Sequence, residues 1–140
     1  MSGPRPFVVG GTAPDDPALA NGAYLMPAVF DGVSNDMRIA KEEIFGPVVS
    51  IIPFDSEADA IRLANATPYG LSGSIWSRDI GKALRTAKGI QTGNLSVNSN
   101  SSVHIEAPFG GYKLSGIGRE LGMAAIDLYT ETKNVFIDLR

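Results

Sequence analysis

The 140-residue chain, 44% hydrophobic, is long enough to bury one core and too short for two ordinary domains. Its 12 basic and 15 acidic residues are spread along the chain, so no basic stripe exists to neutralise a row of phosphates, which excludes nucleic-acid binding. The absence of cysteine excludes disulfides, thiolate metal sites and a cysteine nucleophile within these residues.

The single histidine, His104, builds no multi-histidine metal site and is given no role. Near the start, Arg5 is followed only by Phe7-Val8-Val9 before a glycine pair, too short for the apolar core of a signal peptide. No later apolar run is long enough to span a bilayer, so the expectation is a soluble cytoplasmic protein that does not enter membranes.

Residues 1–35 carry Pro4, Pro6, Pro14, Pro17 and Pro27 with Gly10-Gly11 and Asp15-Asp16, a composition of turns and irregular chain. Within it, Tyr24-Leu25-Met26 and Ala28-Val29-Phe30 read as short strands interrupted at Pro27. Residues 48–54, Val-Val-Ser-Ile-Ile-Pro-Phe, form a continuous, largely β-branched apolar run, which predicts a central strand buried on both faces.

The stretch Asp55-Ser56-Glu57-Ala58-Asp59 supplies a helix cap with an acidic residue three positions on, and Ala60, Ile61, Leu63 and Ala64 supply the apolar stripe; Pro68 and Gly70 end the helix. A second strand is expected over residues 73–77. Asp79 then caps a helix with Ile80, Ala83, Leu84 and Ala87 on one face, stopped by Gly89. A third strand is expected over residues 93–98. Strand, helix, strand, helix, strand with short links predicts an α/β fold built as a parallel sheet of βαβ units.

Residues 98–122 read as a loop, and the loop beyond a strand's C-terminal end is where ligands sit in open parallel sheets. Helix resumes over residues 122–129, and residues 132–139 close the chain as a partly alternating strand.

Three motifs carry candidate chemistry. Gly116-Ile117-Gly118-Arg119-Glu120-Leu121-Gly122 resembles a phosphate loop only superficially: residues 111–115 before it contain Lys113 and Ser115 where a buried strand belongs, so it reads as a structural loop. Glu42-Glu43 beside Ile44-Phe45 and the Gly46-Pro47 turn reads, taken alone, as a solvated acidic face; the spacing permits, without demanding, a carboxylate that accepts from two vicinal ribose hydroxyls while the aromatic packs on a heteroaromatic ring. Arg119-Glu120 reads as a local ion pair, and burial of Glu120 in a cleft would suit it to proton transfer.

Two long motifs, KEEIFGP at 41–47 and PFGGYKLSGIGRELG at 108–122, closely resemble signatures of the aldehyde dehydrogenase family. GAYLMPAVF at 22–30, ANATPYGLS at 64–72 and TETKNV at 130–135 resemble it too, so the likeness runs from about residue 10 to the last residue. The resemblance implies an oxidoreductase that converts an aldehyde to a carboxylate with NAD or NADP. It implies that Glu43 holds the nicotinamide ribose and that Phe45 packs near the nicotinamide. It further implies that Ser101, Ser102, Val103 and Phe109 belong to the substrate tunnel, that Glu120 is an accessory proton relay, and that Arg119 braces its loop by ion pairing.

By the same resemblance, residues 1–129 are the C-terminal part of a catalytic domain and residues 130–140 an oligomerisation strand that adds its edge to a partner subunit in a homo-oligomer. The family's nucleophilic cysteine, oxyanion-hole asparagine, general base and dinucleotide-binding domain all belong to a preceding segment. The expectation is therefore a C-terminal portion that is inactive alone and exposes apolar surface, which promotes self-association. The alternative is a non-catalytic binding or oligomerisation module.

Overall fold

A computed structural model describes residues 7–140, so the expectations placed on Pro4, Arg5 and Pro6 lie outside it. The chain divides into two compact units, Met1–Thr67 and Pro68–Arg140.

The first unit holds a three-stranded mixed sheet. Strand β1 (Phe7–Gly10) runs antiparallel to β2 (Ala28–Asp31), and β2 runs parallel to β3 (Val48–Ser50). Gly10 and Gly11 both take φ near +80° (82° and 73°), a left-handed path that glycine follows without a Cβ penalty, and this ends β1. Among the described residues, Ala28 and Val33 are the buried apolar ones here. A short helix α1 (Arg38–Lys41) follows, then helix α2 (Glu57–Asn65), whose last turn is tied down where the Asn35 side-chain amide donates to the Leu63 carbonyl at 3.1 Å.

Three expectations change in this unit. Phe7-Val8-Val9, read as part of an irregular stretch, lies in β1. Tyr24-Leu25-Met26 is not a strand, because Pro27 has no N–H with which to continue a ladder and only the Met26 amide is engaged, by the Thr12 carbonyl. Residues 48–54 give three strand residues at the sheet edge rather than a central strand buried on both faces. Val49 remains 57% exposed because, among the described residues, β2 is the only strand beside β3 and no layer covers its outer face.

The second unit contains the βαβ element that the sequence predicts. Strand β5 (Ser72–Ile75), helix α3 (Ile80–Gly89) and strand β6 (Asn94–Val97) are consecutive, and β5 and β6 pair in parallel with Ser74 opposite Ser96. Only one such unit forms: the parallel partner of β3 is β2, which precedes it in sequence. A two-stranded antiparallel ribbon joins β4 (Tyr69–Gly70) to β7 (Tyr112–Lys113), so part of the expected 98–122 loop is strand. Residues 123–128 form a 3-10 helix rather than an α-helix. Residues 132–139 pair with no strand among the described residues and leave Phe136 and Leu139 largely exposed.

Helices α2 and α3 start as their sequences dictate. Ser56 accepts from the Asp59 amide at 3.1 Å, and Asp79 accepts from the Lys82 amide at 3.0 Å. In α3 the small Ala83 is fully buried while Ile80 and Leu84 of the same apolar stripe are more than half exposed.

Replacing Ser56 by alanine is expected to destabilise the first unit by about 1 kcal/mol, read from the urea midpoint by circular dichroism. The Lys82 amide, more than any other group, holds the Asp79 carboxyl below its ordinary 3.8. Its folded value is therefore the lower one: the stabilisation is complete above 3.8 and is lost as pH falls through the folded value. Asp79→Asn keeps a capping oxygen without the titration, so the variant should show a flatter loss of helix stability below pH 4; an acid limb identical to the parent's would refute this account of the cap.

Candidate functional site

The acidic pair at 42–43 divides its work. Arg38 makes a bidentate contact to Glu42, with Nε to Oε1 at 2.9 Å and Nη2 to Oε2 at 2.8 Å. That hydrogen bonding lowers the Glu42 carboxyl and raises the Arg38 guanidinium. Glu43 has no hydrogen-bond or ion-pair partner among the described residues and is exposed. Beyond it the chain turns tightly, with the Gly46 amide donating to the Ile44 carbonyl at 2.6 Å and the Val48 amide to the Gly46 carbonyl at 2.8 Å. The turn leaves the Phe45 ring 94% exposed. The unit thus presents one unpartnered carboxylate and one uncovered aromatic, two residues apart, at the entry to β3.

In the second unit, an open groove of about 450 Å³ runs along β6 and the loop that follows it. Its polar wall is made by Asn94, Ser96, Ser99, Ser101, Ser102 and His104. Asn94 and Ser96 are buried polar residues with satisfied side chains. The Asn94 amide donates to the carbonyls of Leu71 at 2.9 Å and Gly110 at 2.8 Å. The Ser96 hydroxyl donates to the Ser99 carbonyl and lies 3.0 Å from that of Ser74.

Asn98 fixes where the loop leaves the sheet. Its carboxamide accepts from the Ser77 amide at 2.9 Å and donates to the Ser77 carbonyl at 3.0 Å. Its own φ of 54° is a left-handed conformation that asparagine tolerates better than most residues. The groove lies where the sequence argument expects a ligand, beyond the C-terminal end of a parallel strand.

Of the expected tunnel residues, the groove brings together Ser101 and Ser102. Val103 is exposed and Phe109 half-buried, and neither lines it. Phe109 instead bridges Glu120: each residue's amide donates to the other's carbonyl at 2.7 Å. The Glu120 carboxylate is exposed, so the burial that would suit it to proton transfer is not present in this chain.

Arg119 braces its loop as expected but not by ion pairing. Its Nη1 donates to the carbonyls of Gly111 and Gly118, both at 2.8 Å, and its guanidinium carbon lies 5.3 Å from the centre of the Tyr112 ring. The loop it holds passes so close to residue 93 that a Cβ there would collide with the Gly110 carbonyl. His104, given no role from sequence, lines the groove, and so does Asn94, which the sequence reading does not single out; its signal is an amide alternating with apolar Leu95 and Val97 in a buried strand.

Asn94→Ala removes the donor from two carbonyls at once and should cost about 1–3 kcal/mol. Asn94→Asp sets a carboxylate against the same two oxygens and should cost more; an aspartate variant as stable as the parent in urea would show that the clamp does not hold the groove.

The aldehyde dehydrogenase family model matches residues 5–135. Betaine aldehyde dehydrogenase of Bacillus subtilis is 46% identical over 127 residues, covering 91% of this chain and 26% of that protein. 2-Hydroxymuconic semialdehyde dehydrogenase of Pseudomonas putida is 46% identical over 133 residues, covering 94% of this chain and 27% of its own length. A crystal structure of Mycobacterium tuberculosis aldehyde dehydrogenase complexed with NAD+ superposes with a TM-score of 0.87 at 44% identity, covering 96% of this chain and 27% of that one. The chain spans about a quarter of the length of these relatives. Matched over nearly all its residues by sequence and by structure, it belongs to the aldehyde dehydrogenase family.

Proposed function

We propose that this chain is the C-terminal portion of an NAD(P)-dependent aldehyde dehydrogenase, supplying nicotinamide-ribose and substrate contacts to a site whose nucleophile lies in another segment. The observation that carries the reading is the free Glu43 carboxylate beside an almost fully uncovered Phe45 ring. Leaving an aromatic side chain in water forgoes about 2 kcal/mol or more of burial. A rigid turn that holds one there, next to a carboxylate with no internal partner, suits a ligand with a flat ring and vicinal hydroxyls.

The nicotinamide nucleotide fits these groups. Glu43 would accept from the two ribose hydroxyls, and Phe45 would cover the ring and restrict its tilt. When bound, the nucleotide supplies the two-electron acceptor for the aldehyde hydrogen. Glu42 is excluded from the task by its bidentate contact with Arg38. Ser101, Ser102, Val103 and Phe109 would face the aldehyde, with Glu120 passing protons at the edge of the site. The thiolate that attacks the aldehyde would come from outside these residues, which contain no cysteine. Residues 132–139 would add a strand to a partner subunit, a role that suits four apolar side chains left exposed there, Val135, Phe136, Ile137 and Leu139.

The test compares nicotinamide reduction by the chain alone and after co-folding with the N-terminal portion of a homologous enzyme. Activity only in the assembly is expected, and Glu43→Gln should then raise the KM for the nucleotide by roughly tenfold or more. Activity of the chain alone would overturn the reading, and an assembly that forms but stays silent would favour a non-catalytic module. Phe136→Asp should lower the mass of the assembled enzyme by light scattering; an unchanged mass would remove residues 132–139 from the subunit contact.

A further inference from the structure

The groove beside β6 carries a chemistry that the proposed function leaves open, the nature of the aldehyde's tail. Three side-chain groups in its wall have no partner among the described residues: the hydroxyls of Ser101 and Ser102 and the imidazole of His104. The backbone N–H groups of Ser102 and His104 are likewise without acceptors. The remaining polar groups are committed. The Asn94 NH2 group is bound to two carbonyls, Ser96 donates to Ser99, and the Ser99 hydroxyl accepts from the Ser101 amide at 3.0 Å. No aspartate, glutamate, phenylalanine, tyrosine or tryptophan lines the groove among the described residues.

Such a wall offers hydrogen-bond donors and lacks the two things a quaternary ammonium needs, the face of a phenyl, phenol or indole ring and a carboxylate. A carboxylate, which only accepts and takes several donors at once, matches it. We propose that this groove selects aldehydes whose far end is a carboxylate, with Ser101, Ser102 and His104 as its specificity-determining donors. The proposal rests on the dehydrogenase reading above. It separates this chain from what the name of its betaine aldehyde relative would suggest, despite 46% identity.

The test uses the assembled enzyme with succinic semialdehyde and betaine aldehyde. The carboxylate-tailed aldehyde is expected to show kcat/KM higher by roughly tenfold or more, and the Ser101→Ala/Ser102→Ala double variant should bring the ratio toward one. Equal or better use of betaine aldehyde would overturn the proposal while leaving the dehydrogenase reading intact. Should the assembly turn over neither aldehyde, that reading fails, and binding to the 140-residue chain decides the groove's chemistry. In that measurement succinate, but not tetramethylammonium, should saturate the NMR amide shifts of Ser101, Ser102 and His104. Saturation by tetramethylammonium, or by neither ion, overturns the proposal.

Discussion

The two amide hydrogen bonds of Asn94 are the constraint on which the second unit depends. One reaches back to the Leu71 carbonyl, at the edge of β5, and the other reaches forward to the Gly110 carbonyl in the glycine-rich loop. A single buried side chain thereby fixes a parallel strand pair and the backbone crossing beside it. In a unit whose only buried apolar residue is Ala83, directional bonds contribute what a larger core would supply elsewhere. Asn98 repeats the device one turn of pleat later by pairing both ways with Ser77. The groove is shaped between these two asparagines and the loop they release.

The scarcity of core is itself informative. The chain exposes 11147 Å². Even two separate compact bodies of half the mass each would expose only about 8,000 Å² together. The excess is apolar to a large extent, including Phe45, Trp76, Ile80, Ile117 and Phe136. Ile80 and Leu84 show the consequence on one helix: the stripe that periodicity assigns to a core is split, with the alanine packed and the larger residues left out. A chain covering a quarter of its relatives' length is expected to show such faces, because the layers that bury them in the relatives need not lie in the aligned quarter.

What could be read from sequence was what is determined locally. The caps at Ser56 and Asp79, the periodicity of the two longer helices and the turn signals around β5 and β6 each depend on residues within one helical turn, and each was legible. The misses have the opposite character. The two residues of β7 are a strand only because Tyr69 and Gly70 lie opposite, and Lys113 reaches that position through a φ of 54° that no propensity predicts. The run at 48–54 reads as doubly buried because continuous apolarity reports what a strand is built to be covered by, whether or not this chain provides the cover. Arg119 and Glu120 look like an ion pair as neighbours, yet in the extended bridge opposite Phe109 adjacent side chains point to opposite sides. One signal was present and unused: Arg38 and Glu42 stand four apart, the spacing of a helical salt bridge, and that alone separates Glu42 from the free Glu43.

The same contrast separates architecture from selectivity in the candidate site. The glycine-rich segment 108–122 is constrained at nearly every step: Gly111 and Gly118 supply the carbonyls that Arg119 holds, Gly110 meets Asn94, and residues 109 and 120 are bonded to each other through their backbones. A side chain could change little there without moving the chain. The loop at 99–106 is different, since the side chains of Ser101, Ser102 and His104 take no part in holding it. Relatives of equal identity to this chain bear the names of a cationic aldehyde in one case and an anionic semialdehyde in the other. The positions free to vary without disturbing the fold are those that line the groove without supporting it.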